Sequence, residues 1–506
     1  MRRLLAGLLF ITSLASADVH YKLTPQPSAK TITVSVTIDH PKSAETFRIP
    51  AWCPGYYQIA QYQKKIFDVK ATDNNGRTLG MEIVDPRTWR VFGSGSEQAT
   101  LSYKVLGDDP GLGFFAVYVS KDKTFVNGAA AFMYADGHNS EKVDLSIDNP
   151  PQWDVATPMS GTDGTHFTAE NYDEFIDHPI QLGVFKRRSF AIGKIPFEVI
   201  FVAPDNEPHC DINAETEQLR KLSEPALKLF GGAQFKKYLY ILHLEIGSFN
   251  GGLEHRACNV QAIANSGELR LDDLATHEYF HAWNVKQIRP QILGPFDYTR
   301  PQRTANLWFA EGVTDYYSKL HAYQSGLKSD SWLLNDLAGQ IRGLQGGQTR
   351  KSKTVEDASK GCWEADGFSI GDLSFYTKGL VAGFIFDAAI IQASNGTKTL
   401  DDVMRALYKK GHIPQPGYGE DELRTTINEI AGRDLSDLYN RMIRSTSELP
   451  YAILQGIGLK LTIPDLVSDN QPLNSQADYS IEIDQTATDQ AKRYLNVWLH
   501  RLNSVE

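Results

Sequence analysis

Cysteine is scarce in this 506-residue chain: Cys53, Cys210, Cys258 and Cys362 are the whole complement. None belongs to a Cys-x-x-Cys pair, which excludes a thiolate zinc cluster and a dithiol redox motif. Two disulfides, with three possible pairings, or free buried thiols both remain open. Runs of basic residues are also missing, and the formal net charge is −10. An acidic surface repels phosphate, so nucleic acid is excluded as a partner. No internal repeat is found. Beyond the first residues, no apolar run is long enough to cross a membrane.

What is present begins with MRRLLAGLLFITSLASADVHY. Arg2 and Arg3, the apolar stretch Leu4 to Leu14 and the small residues Ala15, Ser16 and Ala17 form the pattern of a secretory signal peptide cleaved after Ala17. The expectation is a secreted or periplasmic chain with no membrane contact after removal. The alternative is an uncleaved anchor. Loss of Arg2 and Arg3 would leave the chain more acidic still.

Residues 18–185 read as all-β. TITVSVTI (Thr31–Ile38), ATLSYKVL (Ala99–Leu106) and KVDLSID (Lys142–Asp148) alternate polar and apolar residues, the period of a half-buried strand. Asn75-Gly76 is a hairpin turn signal, and a β-sandwich fits the spacing. The pattern changes near Phe185. FEVIFVAP (Phe197–Pro204) and KKYLYILHLEI (Lys236–Ile246) read as strands, and Ala214–Gly232 between them has helical spacing with a Gly231-Gly232 stop. From Leu271 onward helices dominate. One runs through LDDLATHEYFHAWN, with acids in its first turn, and one through TANLWFAEGVTDYYSKLHAY, with Thr304 as cap. Thr377–Ser394, Thr399–Gly411 and Asp421–Gly432 follow. The division is a signal peptide at 1–17, a β-sandwich at 18–185, an α+β unit at 186–325, a helical unit at 326–450 and a short extension at 451–506.

Chemistry concentrates in HEYFHAWN, His277 to Asn284. Residues four apart share one face of a helix. His277 and His281 can therefore aim two imidazoles at one ion, while Glu278 reaches a water beside it. Two ligands and a general base from one turn is the pattern of zinc hydrolases; the alternative is a helix carrying surface histidines. Glu311 sits on the next helix among Leu307, Trp308, Phe309, Val313, Tyr316 and Tyr317. A carboxylate in such surroundings needs a cation, which makes it the candidate third ligand unless it lies on a solvent stripe. Asp315, one turn on, could hold the spare nitrogen of a ligating histidine, or serve only at the surface. In NGGLEH, Gly251 and Gly252 permit close backbone approach, and Glu254 could bind a substrate's α-amine; the plain alternative is a turn. Tyr376, at the mouth of the apolar helix Ser374–Asp387, could donate to an oxyanion or merely pack.

In sequence order, GGLEH, HEYFHAWNVKQIRP, LWFAEGVTDYY and YTKG resemble the glycyl aminopeptidase family of zinc metallopeptidases. These are glutamate-liganded zincins related to the aminopeptidase-N-type enzymes. The likeness runs from PAWCPGYY to ELPYAILQGIGLKL, about residues 20–460. It implies a multidomain fold: an N-terminal all-β sandwich, a central α+β thermolysin-like zincin domain and a C-terminal helical domain completing the active site. It further implies one zinc ion held by His277, His281 and Glu311, with Glu278 as base. Glu254, beside Gly251 and Gly252, would anchor the amine, and Tyr376 would donate to the oxyanion. The implied activity is removal of an N-terminal Gly or Ala from a peptide substrate. A zinc endopeptidase using the same site and a non-catalytic zinc-containing binding protein are the alternatives. Two departures stand out. Such relatives usually continue into a PDZ domain, for which the 56 residues after Pro450 are too few. Ala257-Cys258-Asn259 follows GGLEHR where many relatives carry small hydroxyl residues, a change that would alter the pocket wall or engage Cys258 in a disulfide.

Overall fold

The structure, a computed structural model, describes residues 19–93, 95–108, 114–245, 250–364, 369–413, 415–463 and 479–501. The expected signal peptide lies outside the described residues.

The N-terminal part is β-rich. Its largest sheet has seven strands, in the order Ser160–Gly161, His166–Ala169, Val143–Ile147, Val19–Gln26, Thr31–Asp39, Gln98–Leu106 and Ile66–Asp73. Alternation decides which face is buried: Ile32, Val34, Val36 and Ile38 all point into the core. Two four-stranded sheets contribute Trp89, Val91, Phe125 and Leu182 to the same core, so more than the two sheets of a simple sandwich border it. Asn75-Gly76 does form a turn. Asp73 Oδ1 accepts from the amides of Asn75 and Arg77, and Gly76 takes φ +76°. The hairpin expected there is only a single bridge, Thr72 to Thr78. The strands on either side, Ile66–Asp73 and Gly80–Asp85, then part into different sheets. Gly80–Asp85 is almost wholly exposed, with no apolar face to hold it against its sequence neighbour.

The next sheet positions the site. Its strands are β1 (Lys186–Ile192), β2 (Ile195–Val202), β3 (Tyr238–Glu245), β4 (Gly251–Glu254) and β5 (Cys258–Ala264), in spatial order β1-β2-β3-β5-β4. β2, β3 and β5 run parallel, and β4 closes the edge antiparallel to β5. β3 is buried along its length up to Glu245, the near-continuous apolar run of a strand covered on both faces. Phe197, Tyr240 and Leu242 face a helical core, whereas Ile200, Ile241 and Val260 face the β-rich one. One sheet thus serves two cores.

The helices that matter here are α1 (Ile212–Phe230), α2 (Leu271–Phe280), α3 (Thr314–Gln324), α4 (Phe375–Ala393) and, near the end, α5 (Asp489–His500), with others between. Asp211 caps α1 through the amides of Asn213 and Ala214, and Gly231 ends it in the left-handed conformation at φ +70°. By length and composition α4 is apolar enough to cross a membrane, contrary to the sequence expectation; 83% of its apolar window is buried inside the protein. Described residues after Pro450 join the core rather than forming an appendage. Leu454, Ile457, Leu459 and Trp498 are fully buried with the other helices. Just beyond α5, Arg501 reaches Asp387 at 2.6 Å and Asp401 at 3.2 Å. All four cysteines are free thiols, so the disulfide alternative fails. Cys258 lies inside the sheet, paired with Leu239.

Candidate metal centre

α2 opens with Asp272 and Asp273 in its first turn and ends at Phe280, with His281 as its cap. Both histidines therefore hang from the last turn. His281 Nδ1 donates to the Asn284 carbonyl at 2.6 Å, and His277 Nδ1 lies 2.8 Å from Asp315 Oδ1. The Asn284 carbonyl places a proton on His281 Nδ1, and the Asp315 carboxylate, in ion-pair range, favours one on His277 Nδ1, which leaves each Nε2 with a lone pair. The two Nε2 atoms face one another at 2.9 Å, and Glu311 Oε2 stands 3.6 and 3.2 Å from them. Lone pairs this close repel unless a proton or a cation lies between. With protons alone, Asp315 and Glu311 pull His277 above its ordinary range, and Glu311 and Glu254 do the same to His281, against their burial. Although burial opposes it, the same imidazoles hold Glu311 ionised, well below the usual carboxylate range. All three donor atoms lie within 4.8 Å of one another. Two neutral imidazoles and one carboxylate form a donor set that fits a divalent zinc ion and leaves a position open.

Glu311 lies on a π-helical turn, Trp308–Val313, that runs into α3. Such turns break the regular hydrogen-bond ladder and gather at functional sites. Thr304 is not a helix cap: its hydroxyl donates to Glu420 and accepts from the Asn306 amide. The widened turn coincides with a close backbone approach to α4. A Cβ on Gly312 would lie 2.5 Å from the Gly379 Cα, and one on Gly379 would lie 2.2 Å from the Trp308 carbonyl oxygen. Tyr376, in the first turn of α4, sits with its ring centroid 6.0 Å from that of His277. Burial, reinforced by Glu311 and Glu254, holds its phenol well above the ordinary range, so it stays a proton donor.

Glu278 is buried, and its Oε2 has no hydrogen-bond partner among the described residues. Burial pushes its carboxyl up to about 7; the two imidazoles pull the other way, and Glu254 and Glu311 push with it. A buried carboxylate with a free oxygen is placed to take a proton. Glu254 closes β4, buried, with Oε1 likewise unpartnered among the described residues. Ligand atoms of Glu254, Glu278 and His281 also fall within 4.8 Å of one another. Gly251 opens β4 opposite Ala262. Gly252 has the sharper role: a Cβ there would lie 2.5 Å from Glu278 Oε1. Gly252→Ala should therefore displace the Glu278 carboxylate and lower kcat by roughly 10–100-fold with little change in thermal stability. Activity and melting measured side by side check this, and an unchanged kcat would contradict it.

Sequence reasoning gave no role to Tyr57. Its hydroxyl donates to Glu311 Oε1 at 2.9 Å, across 254 residues of chain. In the sequence PAWCPGYY stands out only as a segment shared with the family. A tyrosine in a Pro-Gly loop has no periodicity that could link it to a distant helix.

The family model described as the Peptidase M61 N-terminal domain matches residues 20–184, and the one described as M61 glycyl aminopeptidase matches residues 270–382. This chain belongs to the M61 glycyl aminopeptidase family. It is therefore a metallopeptidase. In this M61 chain the second match contains His277, Glu278, His281, Glu311, Asp315 and Tyr376, the first contains Tyr57, and Glu254 falls between them. Among solved structures it is similar to an aminopeptidase N family protein from Idiomarina loihiensis, with 25% identity, TM-score 0.82, and coverage of 90% of this chain and 80% of that one. It also shares its fold with the M1 zinc metallopeptidase from Deinococcus radiodurans, at 13% identity, TM-score 0.52, and coverage of 85% and 93%. A mutant of that enzyme bound to a Tyr-Ser-Ala substrate aligns with 14% identity, TM-score 0.51, and coverage of 85% and 94%. Comparison with curated proteins gives no match.

Proposed function

We propose that this M61 metallopeptidase is an exported, zinc-dependent aminopeptidase that removes an N-terminal residue, Gly or Ala, from peptides. Export rests on the signal-peptide pattern of residues 1–17, and the first-residue preference on the family resemblance. We read the α+β unit around α2 as thermolysin-like, since one helix bears both histidines and the next supplies the carboxylate. The observation that carries the reading is the convergence of His277 Nε2, His281 Nε2 and Glu311 Oε2 beside a second buried carboxylate, Glu254.

When bound, a zinc ion held by His277, His281 and Glu311 would supply Lewis acidity to the scissile carbonyl and the attacking water. The chain's own residues do the rest. Glu254 accepts the substrate's α-ammonium and so fixes which peptide bond is presented. Glu278 takes a proton from the attacking water and returns it to the leaving amine. Tyr376 donates to the oxygen that gains charge. Asp315 favours the His277 tautomer whose Nε2 keeps its lone pair free for the ion.

Hydrolysis of a glycine or alanine anilide, lost in chelator and restored by zinc, is the direct test; a rate indifferent to chelator would refute the proposal. Glu254→Ala should lower kcat/KM on free-amine substrates by about 10–100-fold, the worth of a charged hydrogen bond. Amine-blocked peptides serve as the comparison, and an equal loss on them would remove Glu254 as the anchor and favour an endopeptidase.

A further inference from the structure

The two oxygens of Glu311 are committed differently. Oε2 faces the imidazoles, whereas Oε1 accepts the Tyr57 hydrogen bond. The donor comes from neither helix of the centre but from the β-rich part, on the loop that follows Ile49. That loop is held firmly. The Ala51 amide donates to the Tyr298 carbonyl at 2.8 Å, the Trp52 indole to the Asp297 carbonyl at 3.0 Å, and the Ala60 amide to the Ala51 carbonyl at 2.7 Å. Trp52 and Tyr57 are buried and both meet the Trp363 ring edge-on, at 5.3 and 6.2 Å. The same loop shapes the second carboxylate. Gly55, at φ +89°, lies so close that a Cβ would stand 2.6 Å from Glu254 Oε2.

A carboxylate beside a cation can offer one oxygen or two. A second oxygen from Glu311 would fill coordination space that water and a substrate carbonyl require. A buried donor on Oε1 opposes that swing, because the turn would leave both the hydroxyl and the oxygen to find new partners in a closed site. We propose that Tyr57 is a positioning residue that makes Glu311 a one-oxygen ligand. Through it the β-rich part sets how tightly the centre holds its metal. This rests on the reading of His277, His281 and Glu311 as the metal ligands.

The test is Tyr57→Phe in the full chain, which keeps the ring and removes only the hydroxyl. Tyr56→Phe, whose hydroxyl donates to Gln58 at 2.8 Å, is the control. Two quantities are read: the zinc dissociation constant by chelator competition, and the visible absorption of the cobalt-substituted protein. Tyr57→Phe should raise the dissociation constant by about 10–100-fold, as loss of a ligand's hydrogen-bond partner does. It should also weaken the cobalt bands as a second oxygen joins, while near-ultraviolet circular dichroism stays unchanged. Tyr56→Phe should do neither. A Tyr57→Phe protein with wild-type affinity and spectrum overturns the proposal, and so does an equal change in Tyr56→Phe. If the wild-type chain binds no zinc, the ligand reading itself fails and takes this inference with it, an outcome distinct from the other two.

Discussion

Replacing Glu278 with Gln is expected to leave zinc content and folding unchanged while kcat falls by roughly 10²–10⁴-fold. The amide has almost the carboxylate's shape, so the close fit against Gly252 survives. The atoms that face one another across the centre are His277 Nε2, His281 Nε2 and Glu311 Oε2, and the substitution touches none of them. What is lost is a buried oxygen able to accept a proton. Metal analysis and single-substrate kinetics on one preparation decide the matter. A near-normal kcat would remove Glu278 as the base. Lost metal would instead make it a ligand, with Glu254 and His281 as the competing donor group.

Arg501→Met should lower the free energy of unfolding by about 3–5 kcal/mol, measured by denaturant titration. Asp387 and Asp401 are both buried, and Arg501 faces both. Around them Tyr316 donates to Asp387, Tyr317 to Asp401 and the Trp498 indole to the Tyr316 hydroxyl. Taking away the guanidinium strands two carboxylates in a closed core, which costs far more than the pair itself contributes. The pH dependence has a definite sign. Burial already pushes the Asp401 carboxyl up while Arg501 pulls it down. Without Arg501 the folded variant binds a proton there more readily than the unfolded chain does. The deficit should therefore shrink as the pH falls toward the carboxylate range. A loss under about 1 kcal/mol, the range of an exposed pair, would show that the network is solvated.

How far these features could be read beforehand follows from how local their causes are. The i, i+4 spacing of His277 and His281 fixes their shared face by helix geometry alone, and the apolar company of Glu311 announces a carboxylate that needs a cation. Alternation in Thr31–Ile38 fixes a strand and its buried face, because both have period two. Pairing is another matter: Asn75-Gly76 makes its turn, yet the adjoining strands find partners in different sheets. The π-helical turn under Glu311 coincides with Gly312 meeting Gly379, 67 residues away, and no local pattern encodes that contact. The same holds for Tyr57. The final stretch reads as an extension because it is short and mixed, and only Trp498 and Arg501 meeting α3 and α4 reveal it as core.

The sheet with a core on each side makes the two halves of this enzyme inseparable in practice. Expressing the peptidase without its first 184 residues would bare Ile200, Ile241 and Val260 to water. Any chimaera that exchanges the front half among relatives must supply both a matching hydrophobic surface and a hydroxyl in the place of Tyr57.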